Sequence, residues 1–354
     1  MTVRTRARAL GIPFAGETGP ANAITDVSGV RVGHTTLIRG DGPLVIGEGP
    51  VRTGVTAILP HADAERPIPV WAGMHSFNGA GELTGAHIVA EYGWYLGPVC
   101  LTGTHSVGVV HDASLRWFMR RFGAHAAPDM WHLPIVGETW DGGLNDSYGH
   151  HVKAEHVLAA IDGAAGGAVA EGGVGSGTGM TCYGFKGGIG TSSRVVETAD
   201  RRWTVGALVQ ANFGRRGELR VLGRPYPESH APPTPDGSII GIVGTDAPLL
   251  PHQLQRVARR AVLGMARTGS AGHNGSGDIF LAFSVGNPLP MGVARGVTAI
   301  DHLPNGRLDP IFAAAADAIE ESILNALAMA ETMVGRDGKR AEAIDPQVIA
   351  GLFR

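Results

Sequence analysis

The chain has 354 residues, enough for two ordinary domains or one large one, and for a sizeable core. Only 17% of residues are charged and the formal net charge is −3, which argues against a disordered chain and against an electrostatic nucleic-acid binder. No window approaches the roughly 18 apolar residues of a membrane span, the basic N-terminus lacks the apolar run of a secretory signal, and Cys100 and Cys182 alone make no disulfide framework, so a cytoplasmic protein without membrane or nucleic-acid partners is expected.

In chain order, residues 30–38, 55–59 and 99–102 read as strands, and 107–122 and 151–161 as helices. Short basic runs at 4–8 and 256–260 read as solvated faces. The chain carries 54 glycines, about twice the usual share of about 7%, so many tight turns and close backbone approaches are expected. They crowd at 172–190, GGVGSGTGMTCYGFKGGIG, which contains neither G-x-G-x-x-G nor a P-loop and reads as a turn near an active site. Residues 203–211 form a probable strand bounded by Asn212-Phe213-Gly214. The segment 223–236, GRPYPESHAPPTPD, holds five prolines and reads as a surface loop.

Residues 238–243, SIIGIV, are a continuous β-rich apolar run, as in a strand covered on both faces. Pro251 opens a helix with Leu254, Val257, Ala258, Ala261, Val262 and Met265 on one stripe. Residues 278–285, DIFLAFSV, read as another buried strand. A last long helix is expected with Asp309 as N-cap, Pro310 at its first position and Gly335 just past its end. Its Phe312, Ala316, Ile319, Ile323, Leu327 and Ala330 face the core. Strands and helices alternate without a clean βαβ period, so the fold class is α/β, more specifically a layered α+β sandwich. Strands on both sides of 223–236 suggest one domain, 1–354, with a shared core.

Several motifs fail. No G-x-S-x-G elbow surrounds Ser176 or Ser276. On a helix, His150 and His156 sit about 120° apart and His151 and His156 about 140° apart, so they share no face and read as surface histidines.

One serine stands apart by its placement. Gly-Ser occurs four times, ending at Ser176, Ser238, Ser270 and Ser276, and after Pro235-Asp236 a plain turn running into a strand explains Gly237-Ser238 adequately. Yet Ser238 opens a buried strand directly after a proline-rich loop, which can present a peptide bond to its own hydroxyl. Gly237 brings no Cβ to hinder attack on its carbonyl. Cleavage there would free an α-amine with a reference pKa of about 7.7–8.0, usable as a base near neutrality. Ser276 and Asp278 are two apart and, in extended chain, share a face on which a hydroxyl backed by a carboxylate could orient or deprotonate Ser238. Asn212, at a strand end, could donate to an oxyanion.

These residues lie in segments that resemble one known family. They include ARALGIPFAGETGPANAITDVSGVRVGHTTLI, GPVRTGVTAILPH, SFNGAGELTG, THSVGVVHDA, GETWDGGLND, GGVGSGTGMTCYGFKGGIGTSSR, QANFG, DGSIIGIVGTDAPLLPHQ and NGSGDIFLAFS. The chain resembles the DmpA-type aminopeptidases of peptidase family S58, the L-aminopeptidase/D-esterases and β-peptidyl aminopeptidases. The resemblance implies autocleavage between Gly237 and Ser238, giving chains 1–237 and 238–354, with Ser238 as nucleophile. It places the second serine and acid on Ser276 and Asp278, and the oxyanion asparagine on Asn212. Glu138 would receive the substrate's free amino group beside Trp140, where relatives often carry tyrosine.

The resemblance further implies a four-layer αββα sandwich, layered like N-terminal-nucleophile hydrolases but connected differently. It implies a non-covalent pair of chains after cleavage, a homo-oligomer (a tetramer of such pairs), and no metal or organic cofactor. Short peptides, amides or esters are the expected substrates, through an acyl-enzyme. Whether the base is the Ser238 α-amine or Ser276 backed by Asp278 stays open. The competing readings are an acyltransferase like the related ornithine acetyltransferases, whose nucleophile is threonine, a polyamide-oligomer hydrolase, and an uncut scaffold.

Overall fold

A computed structural model describes residues 4–125, 131–198, 201–227, 237–289 and 296–354. In chain order the principal elements are β1 (Arg31–Arg39), β2 (Val51–Leu59), β3 (Val70–Gly79), α1 (Ala86–Tyr92), β4 (Trp94–Tyr95), β5 (Val99–Gly103), α2 (Val107–Phe122) and β6 (Ile135–Thr139). They continue with α3 (Ala154–Asp162), β7 (Gly188–Thr198), β8 (Arg201–Asn212), β9 (Ser238–Thr245), α4 (Pro251–Arg267), β10 (Gly277–Ser284) and α5 (Asp309–Met329).

Two mixed sheets result, ordered β1-β2-β5-β6 and β4-β3-β10-β9-β8-β7. Three apolar layers separate four layers of structure. Ala113, Phe118, Val157 and Ile161 of α2 and α3 pack on Val55, Ala57 and Val136 of the first sheet. Between the sheets lie Ile58, Leu101 and Ile135 from the first and Leu208, Ile240, Ile242 and Leu281 from the second. Leu254, Val257 and Ala261 of α4, with Ile319, Ile323 and Leu327 of α5, cover the outer face of the second sheet. The αββα sandwich is therefore present.

The period-2 alternation of β9 explains why its sequence is apolar throughout. Ile240 and Ile242 point between the sheets, while Ile239 and Val243 point at the helices. Burying each such side chain contributes about 1.5–3 kcal/mol relative to exposure. Strands from both sides of position 237 pair directly, since β8 is antiparallel to β9.

The helix expected at 107–122 matches α2 residue for residue. Pro251 begins α4, whose first turn is closed by the Gln253 side chain accepting from the Leu250 N–H at 2.9 Å.

Four expectations need correction. The helix expected from 151 starts at Ala154, because Lys153 is extended at φ −122° and ψ 166° and stands as its N-cap. His151 is not a surface residue: it is buried and pairs through Nε2 with Asp146 Oδ2 at 2.8 Å. Asp309 is the first helical residue rather than the cap, and α5 ends at Met329 with extended Ala330, so Gly335 does not terminate it. The basic run near the N-terminus is not merely solvated: Arg6 pairs with buried Glu171 at 2.7 Å and Arg8 with buried Glu321 at 2.9 Å. Of the proline-rich loop, 228–236 lies outside the described residues, and Arg224–Pro225 forms a short pair with Arg220–Val221.

Candidate active site

Ser238 is the first residue of β9, an interior strand of the second sheet. On one side it is paired with Asn212, the last residue of β8. On the other, parallel β10 pairs Asp278 with Ile239. The topology alone thus brings together one strand end and two strand starts, with Asn78 of β3 next to Asp278 in the following ladder. A register shift between Asp278 and Ile279 bends the chain just there.

Ser238 is buried, and its Oγ accepts the Gly277 N–H at 3.1 Å. One residue to either side of that amide stand the other two groups. The Ser276 hydroxyl donates to Asp278 Oδ1 at 2.6 Å. Asp278 Oδ2 is buried and has no hydrogen-bond partner among the described residues. Burial pushes the Asp278 carboxyl up to about 6, partly opposed by the Ser276 hydrogen bond and the nearby His273. A carboxylate held there binds protons more readily than a surface aspartate, which suits a proton acceptor near neutrality. No hydrogen bond joins Ser238 directly to Ser276 among the described residues; the Gly277 amide lies between them.

Asn212 is also buried, and its amide is held at both ends. Its Oδ1 accepts the Thr181 N–H at 2.8 Å, and one Nδ2 proton goes to the Trp140 carbonyl at 3.0 Å. An asparagine amide has two N–H bonds, so the second is free of partners among the described residues. Nδ2 lies 3.3 Å from the point where a Cβ on Gly237 would stand, which places that donor beside the Gly237–Ser238 peptide.

Glu138 reaches the site from the other sheet. It sits near the end of β6 and is buried; Oε1 accepts the Glu82 N–H at 2.9 Å and Oε2 accepts the Thr104 hydroxyl. Burial raises its pKa, opposed by those two hydrogen bonds. The two halves of the site meet at Gly81: a Cβ there would lie 3.2 Å from the Gly277 Cα and 3.4 Å from Glu138 Oε1. The amide that holds Ser238 and the acid that would hold a substrate ammonium are thus separated by one glycine. Trp140 is 42% exposed, while its carbonyl anchors Asn212.

All seven residues singled out in the sequence therefore fall at one end of the sandwich. Sequence reasoning missed the supporting donors Thr104, Thr181 and Gln210, the last bridging the sheets from Nε2 to the Thr102 carbonyl at 3.0 Å and Thr139 Oγ1 at 2.8 Å. A glutamine inside an apolar strand such as 203–211 is the signal that could have revealed one of them. Among the described residues no group of three or more His, Cys, Asp or Glu is placed to hold a metal, and no helix is long and apolar enough to cross a membrane.

Comparison with known proteins places this arrangement. The family model described as peptidase family S58 matches residues 22–341. The β-peptidyl aminopeptidase BapA of Sphingosinicella microcystinivorans is 51% identical over 352 residues, covering 94% of this chain and 88% of the relative. The solved L-aminopeptidase D-Ala-esterase/amidase of Ochrobactrum anthropi superposes with a TM-score of 0.94 at 46% identity, over 99% of this chain and 98% of that one. That structure is described as a new variant of the Ntn-hydrolase fold. A Burkholderia β-aminopeptidase superposes with a TM-score of 0.90 at 45% identity, over 99% of this chain and 98% of the other. The chain belongs to peptidase family S58 and is a hydrolase of aminopeptidase type.

Proposed function

We propose that the protein cuts itself between Gly237 and Ser238 and then uses Ser238 to remove N-terminal residues from short peptides, amides or esters. The observation that carries this reading is the position of Ser238 Oγ, held by the Gly277 amide between the buried Ser276–Asp278 pair and the spare N–H of Asn212.

In maturation, Oγ bonds to the Gly237 carbonyl carbon, the C–N bond breaks, and the nitrogen leaves as the Ser238 amine. Water then hydrolyses the ester. Because the Ser238 nitrogen is still an amide at this stage, the base is Ser276 backed by Asp278. In turnover the freed α-amine is an additional base. Ser238 attacks the carbonyl of the substrate's first residue, whose ammonium sits on Glu138, while Asn212 Nδ2 donates to the oxyanion. The substrate's C–N or C–O bond then breaks, the amine or alcohol leaves with the proton taken from Ser238 Oγ, and water hydrolyses the acyl-enzyme ester.

The similarity to BapA and to the Burkholderia β-aminopeptidase supports β-amino acids among the accepted N-terminal residues, with Trp140 shaping the acyl side. The mature unit is a pair of chains, 1–237 and 238–354, assembled further into a homo-oligomer. The two cysteines, both buried and unpaired, fit a reducing compartment such as the cytoplasm.

Denaturing electrophoresis with intact-mass measurement tests the reading on the wild type and Ser238→Ala. Two fragments with those boundaries are expected from the first and one intact chain from the second. An uncut wild type that still hydrolyses aminoacyl p-nitroanilides would sink the self-cleavage half.

A further inference from the structure

Lys186 is a charged residue buried completely, and nothing in the mechanism above uses it. It ends a short hairpin in which Thr181–Cys182 pairs with Phe185–Lys186. The connecting residues Tyr183 and Gly184 both have positive φ, 52° and 69°, as a two-residue turn with the twist of its strands requires.

Among the described residues no carboxylate neutralises the ammonium. Its three donors go to three backbone carbonyls, Gly177 at 3.0 Å, Met180 at 2.8 Å and Gly187 at 2.8 Å. That number matches the capacity of an ammonium, so the group is saturated. Burial lowers its pKa to about 7. A buried cation kept at such cost for packing alone would be unusual, because an apolar residue would fill the space more cheaply.

What the three carbonyls have in common is the chain they bracket. Met180 immediately precedes Thr181, whose N–H holds Asn212 Oδ1 at 2.8 Å. The carbonyl of Met180 also accepts the Gly187 N–H at 3.0 Å, and the Tyr183 N–H donates to the Phe213 carbonyl at 2.7 Å. Lys186 therefore ties both ends of the hairpin to the glycine-rich turn, and the hairpin grips Asn212 and its neighbour.

We infer that Lys186 is a positioning residue for the oxyanion amide: it fixes the Thr181 N–H, which fixes the Asn212 side chain with its spare N–H toward the Gly237–Ser238 bond. This inference rests on the role proposed above for Asn212. A displacement of about 1 Å in such a group costs on the order of 10²-fold in rate, so the lysine's effect should appear in kcat rather than in KM.

A double-mutant cycle on the full-length protein tests it, with kcat and KM on an aminoacyl p-nitroanilide normalised to the cleaved fraction. Lys186→Met should lower kcat about 10- to 100-fold with KM within about threefold, and should have no further effect in an Asn212→Ala background. A kcat within about twofold of wild type, or an equal loss in both backgrounds, overturns the inference. Should Lys186→Met not yield folded protein by thermal melting, Lys186→Gln, which keeps an amide donor for the carbonyls but cannot bond all three, takes its place in the same cycle with the same outcomes. Failure of the underlying reading looks different: Asn212→Ala alone would then keep wild-type kcat.

Discussion

A single methyl group at Gly237 should stop maturation. Built on the existing backbone, it would stand 1.8 Å from the Asn212 carbonyl oxygen and 2.8 Å from the carbonyl carbon. Ordinary contact lies at about 3.5 Å, so Gly237→Ala must push the two strand ends apart by more than about 1 Å. The strain falls where the Gly237 carbonyl, Ser238 Oγ and Asn212 Nδ2 have to converge, and a misplacement of that size costs about 10²-fold in rate. The ladder beyond it, from Ile239 opposite Ala211 to Thr245 opposite Val205, is untouched, so the fold should persist. The assay is a time course of intact mass on freshly purified protein, with circular dichroism confirming the fold. Cleavage of folded Gly237→Ala within about twofold of the wild-type rate would refute the reasoning, since it would mean that the approach of Gly237 to Asn212 is irrelevant to the cut.

Three further outcomes follow from the site and its frame. Asp278 must be ionised to accept a proton, and burial holds its pKa up at about 6, so kcat/KM should climb as pH rises through about 6 and level off above it; Asp278→Asn should abolish that limb and lower kcat about 10²-fold or more, and an unchanged profile would contradict the assignment. Glu138→Gln should raise KM for substrates with a free amine about 10-fold or more, from the loss of a charged partner worth about 1.5–3 kcal/mol, and should narrow the discrimination between free and N-acetylated substrates measured by competition. Glu321, fully buried between Arg8 at 2.9 Å and Arg194 at 2.7 Å, should cost about 3–5 kcal/mol when changed to alanine, read by chemical denaturation, because Arg194 is left buried without its carboxylate.

Much of the frame was legible where burial writes itself into residue type. The run SIIGIV declares β9 because both of its faces are covered, and the stripe of α4 declares its buried side. Ser276 and Asp278 were legible as a pair from their spacing, and they hydrogen-bond as that spacing suggests. β3 and β6 were not, because Val70–Gly79 mixes glycine, histidine and serine into a half-exposed strand and Ile135–Thr139 is five residues long. Glu138 lies on that short strand, so local pattern could not distinguish it from a surface acid; only its family resemblance pointed to it. In the glycine-rich stretch 172–190 the glycine pattern dominates the sequence signal and masks Lys186, the charged side chain that bonds three of its carbonyls. His151 misled for the opposite reason, since the helical geometry used to judge it does not exist before Ala154.

The place of Ser238 within its sheet has a consequence for the life of the molecule. β9 and β10 lie between β3 and β8, so a cut before Ser238 leaves two interior strands on one piece and their neighbours on the other. Neither piece can complete the sheet alone, and each would bare long unpaired edges in isolation. With the cut proposed above, assembly would have to finish while the backbone is continuous. After such a cut, reassembly would be an encounter between two molecules, slowed by dilution and competing with aggregation. An enzyme made by that proposed cut would work as a one-way ratchet, protected afterwards by the height of its unfolding barrier rather than by any return path.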